Sequence, residues 1–167
     1  MSRLEASDGF SLLEVLVACA LLATGIVTLA QLVTVSMRAN VGSRASITAS
    51  TLAVQKVEEL RALGWGWDAN GAPVSDAALE PSPPGSLEND VGGYVDYVDE
   101  HGTRVDGAGP IAFVRRWSVQ TVPGSTDAIA ITVFVLPRSR AGIANRAGRP
   151  QSPDEAWVAT IRTRSLP

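Results

Sequence analysis

Glu14 is the only charged side chain in the stretch from Phe10 to Met37, and the 23 residues after it, Val15 to Met37, carry no formal charge. A charge in hydrocarbon costs on the order of 2.5–3.5 kcal/mol even on the mildest scale, so a carboxylate in such company calls for a cation to pair with. The other residues able to do chemistry are few. Asp90, Asp96, Asp99 and Glu100 gather around His101 and have the residue types of a calcium site, but the spacing of an EF-hand is absent. Turns collect Asp for backbone reasons, and a solvated turn is the expectation there. Arg138, Arg140, Arg146 and Arg149 make one loop basic, without the aromatic interleaving that stacks on bases, so nucleic acid is not an expected partner.

Cys19 is the sole cysteine and His101 the sole histidine, which excludes an intramolecular disulfide and His- or Cys-rich metal chemistry. No nucleophile–base arrangement and no Gly-rich phosphate loop can be read in the chain. An enzyme is therefore not expected, and neither a catalytic residue, a metal nor a cofactor is assigned. The net charge of −3 comes mostly from residues 1–14, where Arg3 stands against Glu5, Asp8 and Glu14; residues 38–167 hold 13 basic and 14 acidic side chains.

The element that must position Glu14 is a helix. Twenty-three residues rise about 34 Å, enough for a hydrocarbon core of about 30 Å. Leu and Val residues surround this helix instead of forming a stripe, so it reads as a membrane span. Thr24-Gly25 is a local weak point, since Gly costs about 1 kcal/mol against Ala. A cleaved signal peptide would have a basic start and a shorter apolar core. Leu16-Val17-Ala18-Cys19 has the look of a lipoprotein signal, but Glu14 interrupts its core, and Cys19 is better read as a small apolar side chain.

GFSLLEVLVA, residues 9–18, closely resembles the processing site of type IV prepilins and pseudopilins: Gly9, aromatic Phe10, Ser11, the Leu12-Leu13 pair and Glu14, all in register before an aliphatic helix. The resemblance implies a cytoplasmic leader, residues 1–9, cut between Gly9 and Phe10 by a prepilin peptidase, with N-methylation of the new Phe10 amine. It further implies that Glu14, fifth residue of the mature chain, pairs with the amine of a neighbouring subunit and sets register during assembly. Pairing lowers the cost of burying either charge. The expected partners are the peptidase, other pilin or pseudopilin subunits, the inner-membrane assembly platform and membrane lipid. Orientation, with a single pass in a bacterial inner membrane and a periplasmic head, rests on the resemblance, because Arg3, Arg38 and Arg44 give no clear positive-inside signal.

Beyond the span (residues 10–37) an amphipathic helix is expected over 38–64. Ala45, Ala49, Leu52, Ala53, Val57, Leu60 and Leu63 recur at mostly three- and four-residue spacing, with Lys56 and its charged neighbours mostly off that line. A break near Asn40-Val41-Gly42-Ser43 separates the two halves in this reading, and Gly64 ends the second. Residues 65–167 form the expected β head. Residues 64–93 read as a loop in which Trp65 and Trp67 plug the core. Tyr94 to Val98 and Arg104-Val105 read as a hairpin, and three β-rich runs around 112–120, 128–136 and 156–163 as an antiparallel meander. The expected class is α+β, pilin-like: a long helix on a small antiparallel sheet. The strings Val114-Arg115-Arg116-Trp117-Ser118-Val119 and Ile129-Ala130-Ile131-Thr132-Val133 resemble the sheet of PilV-like minor pilins. A minor pseudopilin of a type II secretion system is the alternative within the family. A plain single-span binding protein with an uncleaved leader is the alternative outside it.

Overall fold

A computed structural model describes residues 11–106, 109–142 and 152–164. The chain is α+β, with one long amino-terminal helix and two small antiparallel sheets. It forms two compact units that divide between Val41 and Gly42. Helix α1 runs from Leu12 to Arg61, 50 residues. The expected break at Asn40–Ser43 is not found: helical structure continues through these residues, because a lone Gly weakens a helix by only about 1 kcal/mol.

The first unit contains the apolar half of α1. Leu12, Leu16, Leu21, Leu22, Leu29 and Leu32 are all more than 60% exposed, so no described residue covers them. This helix is long and apolar enough to cross a membrane.

The second unit is built on a four-stranded sheet in the order β3 (Val95–Val98), β4 (Phe113–Thr121), β5 (Ala128–Pro137), β6 (Ala156–Thr163). The meander expected for the last three strands is present, with Gly124 at φ 80° in the turn between β4 and β5. The expected pairing of Tyr94–Val98 with Arg104-Val105 is present but short: Arg104 bridges Val98, and the Val105 N–H donates to the Tyr97 carbonyl at 2.8 Å. The long partner of β3 is β4, with Asp96 opposite Arg115. The sheet therefore has four strands where three were expected.

Ala49, Leu52, Ala53, Val57 and Leu60 of α1 pack with Trp117, Val119, Ile129, Ile131, Val133 and Val135 in one core, as their helical spacing predicts. Each of the large side chains contributes on the order of 1.5–3 kcal/mol by leaving water. The opposite face of the sheet carries a smaller cluster of Val114, Phe134 and Leu136. The span 64–93 is more structured than a loop: it holds a hairpin, β1 (Trp65–Trp67) and β2 (Pro73–Ser75), and a 3₁₀ turn at Ala77–Leu79 capped by Asp76. Trp65 is buried in the main core, as expected of a plug, and Trp67 is half-buried.

Candidate assembly site

The amino-terminal turn of α1 is built by Ser11. Its carbonyl accepts from the backbone N–H groups of Glu14 (3.0 Å) and Val15 (3.2 Å), and its Oγ accepts from the N–H of Leu13 at 3.2 Å. Ser11 is thus the N-cap, and Ser11-Leu12-Leu13-Glu14 has the spacing of a capping box. The reciprocal half of that box, a bond from the Ser11 N–H to the Glu14 carboxylate, is not made among the described residues. Glu14 sits in the first turn, where the helix dipole favours an anion, and is exposed. No described cation pairs with it. Among the described residues the carboxylate is unpaired, and the serine alone serves the cap. Gly9 and Phe10, the other two residues of the expected processing site, lie outside the described residues.

The acids around His101 have separate structural tasks. Asp99 holds its own turn, accepting from the N–H groups of His101 (2.9 Å) and Thr103 (2.8 Å); those backbone bonds keep its carboxyl below its ordinary pKa. Asp90 accepts from the Tyr97 hydroxyl at 3.0 Å and from Arg116 Nε at 2.8 Å. Glu100 and His101 are exposed at the tip. Among the described residues no three His, Cys, Asp or Glu side chains are grouped as metal ligands.

Asp96 has an unexpected place. It is 3% exposed, receives Arg115 Nε and Nη2 at 2.7 and 2.9 Å, and accepts from Lys56 Nζ at 3.0 Å. Glu59 completes a neutral foursome, 3.2 Å from Lys56 and 3.5 Å from Arg115. Lys56 also stands 4.0 Å above the Trp117 ring. Burial disfavours the charge on Asp96, but the hydrogen bonds and charge of Arg115, aided by Lys56, outweigh it and hold the carboxyl below its ordinary pKa. This cluster ties α1 to β3 and β4. It corrects the placement of Lys56 off the buried line: Lys56 follows Leu52 by four residues and Ala53 by three, which is core spacing.

The neighbouring Arg116 points to the other face of the sheet and bonds Asp90, the Glu88 carbonyl (2.6 Å) and the Ala141 carbonyl (3.1 Å). In the basic loop, Arg138 lies 5.6 Å from the Tyr97 ring and Arg140 pairs with Asp154 at 3.2 Å; Arg146 and Arg149 lie outside the described residues. At the end of the chain, Arg162 donates to the Leu60 and Leu63 carbonyls, where a helix end leaves acceptors open. Arg164 stacks 3.7 Å from Trp65 and donates to the Gly66 and Val74 carbonyls. These ionic groups are occupied in holding the head together. Comparison with protein-family models, with curated proteins and with solved structures returns no match.

Proposed function

We propose that this chain is a non-enzymatic assembly subunit, a minor type IV pilin of the PilV-like kind. It is inserted once in a bacterial inner membrane with its head in the periplasm. A prepilin peptidase cuts between Gly9 and Phe10, and Phe10 is then N-methylated. Its work is to enter or prime a filament through contacts with other pilin subunits and the inner-membrane platform.

The observation that carries this reading is Glu14: an exposed carboxylate, unused by its own helix cap, at the head of an apolar helix that no described residue covers. A new amine on Phe10 would be the cation that such a carboxylate lacks, supplied by the neighbouring subunit because assembly brings the two termini together in hydrocarbon. The α+β head on the same chain is compatible with this reading: its buried Lys56, Asp96, Arg115 and Arg116 are engaged in ion pairs that hold the head together.

The test is the intact mass and amino-terminal sequence of the protein recovered from its native membranes. A chain that begins at Phe10 and carries one extra methyl group is expected. A chain that still begins at Met1 or Ser2 overturns the reading and makes α1 the anchor of an unprocessed protein.

A further inference from the structure

The apolar half of α1 contains a second group without a partner. Its threonines are satisfied within the helix: Thr24 Oγ1 donates to the Leu21 carbonyl at 2.9 Å, Thr28 Oγ1 to that of Gly25 at 2.8 Å, and Thr34 Oγ1 to that of Ala30 at 2.9 Å. Gln31 has a carboxamide that bonds to no described residue, and its Cα lies six residues before the end of the uncharged run. In hydrocarbon a primary amide without a partner is costly, and no carbonyl of its own helix accepts from it as the carbonyls beside the threonines do. A second helix alongside in the bilayer can supply the partner.

The position of Gln31 says which molecule. Val17, Ala20, Thr24, Val27, Gln31 and Thr34 follow one another at alternating intervals of three and four residues, the seam of a parallel helix pair. Val27, Gln31 and Thr34 also line a shallow concavity on the helix surface. A carboxamide carries both donors and an acceptor, so it is complementary to itself. Two copies inserted by the same route run parallel, which puts residue 31 at one depth in both. Arg38 falls next on the seam, at the edge of the apolar run, where a long side chain can reach the headgroups.

We propose that Gln31 pairs two copies of this chain in the bilayer, carboxamide to carboxamide, as a membrane-resident dimer. The pairing rests on the membrane part of the functional reading and is independent of leader cleavage. One carboxamide in a seam whose threonines are bonded within their own helix fixes register and partner, as single buried amides do in coiled coils. Interhelical bonds of this type in membranes shift association by about threefold to tenfold.

The experiment uses the full-length chain in native membranes, with Cys19→Ala as background and a single new cysteine from Val27→Cys on the seam or Ile26→Cys off it, about 100° around the helix. Alkaline extraction first separates inserted from peripheral protein, and oxidation then traps neighbours. The expected result is a disulfide-linked dimer with Val27→Cys and not with Ile26→Cys. Its yield should fall about threefold to tenfold on adding Gln31→Leu and be kept with Gln31→Asn. Gln31→Leu makes the span more apolar, so insertion is preserved. Equal trapping at both positions, no effect of Gln31→Leu, or capture of a different polypeptide overturns the pairing. Release of the chain by alkali overturns both the pairing and the membrane reading, whereas an uncut leader with intact dimers overturns the pilin reading alone.

Discussion

Asp96 and Arg115, directly opposite on β3 and β4, share two hydrogen bonds of 2.7 and 2.9 Å at a place where each residue is no more than 3% exposed. A buried pair of this kind stabilises little against apolar residues of equal volume, but removing one member leaves an uncompensated charge. Asp96→Ala strands both Arg115 and Lys56 and is expected to cost about 3–5 kcal/mol. The double change Asp96→Leu with Arg115→Met should cost less than Asp96→Ala alone. Urea unfolding of the full chain in detergent micelles, followed by tryptophan fluorescence, measures both. A double variant as unstable as the sum of its single changes would contradict the account.

The same pair sets a pH dependence. The carboxyl of Asp96 titrates lower in the folded head than in the unfolded chain, so the unfolded state takes up its proton first as the pH falls. Its stabilisation is complete above the unfolded value of about 3.9 and disappears as the pH drops through the folded one. Asp68 and Asp99, held down by backbone hydrogen bonds, titrate in the same direction. The discriminating measurement is the urea midpoint from pH 7 to pH 2 for the natural chain and for Asp96→Asn. The variant is expected to start lower and lose less on acidification. Parallel curves would show that Asp96 does not govern the acid limb.

Gly102 offers a test of the contact between the turn and α1. Its φ is 82°, and a Cβ there would stand 2.8 Å from Leu52 Cδ2, a side chain fixed in the core. Gly102→Ala should cost about 1–3 kcal/mol from backbone strain, with some displacement of Leu52. Gly92→Ala is the control, at a position with open space and no positive φ, and is expected to be neutral or slightly stabilising. Equal midpoints for the two variants would remove the turn from the packing of α1.

The helix and sheet were legible in the sequence because apolar periodicity reports a core directly: Leu52, Val57 and Leu60 at helical spacing and Ile129, Ile131 and Val133 at alternate positions all reach it. The short pairing of Tyr94–Val98 with Arg104-Val105 is legible because Gly102 marks its turn, whereas the longer pairing with β4, which sets Asp96 opposite Arg115, depends on tertiary packing. The ionic cluster was hidden because hydropathy ranks Lys56, Asp96 and Arg115 as surface residues. A signal existed in spacing: Lys56 shares the core line of Leu52 and Leu60. Ser11 and Glu14 illustrate the opposite case, where one short motif encodes both a helix cap and an open carboxylate.

Those two residues can be separated by mutation. Ser11→Ala removes the bond to the Leu13 N–H and should destabilise the first turn by about 0.5–2 kcal/mol while leaving the carboxylate in place. Glu14→Leu removes the charge and leaves the serine cap intact. If the carboxylate serves assembly, Glu14→Leu inserts at least as well as the natural chain, because the span loses its only charge, yet is lost from filaments sheared from the cell. Ser11→Ala should still enter them. The readout is the ratio of filament-associated to membrane-retained protein, measured with an antibody against the head. Equal ratios for the natural chain and Glu14→Leu would reduce Glu14 to an interfacial residue of the helix end, whose charge reaches the headgroups by way of its own flexible side chain.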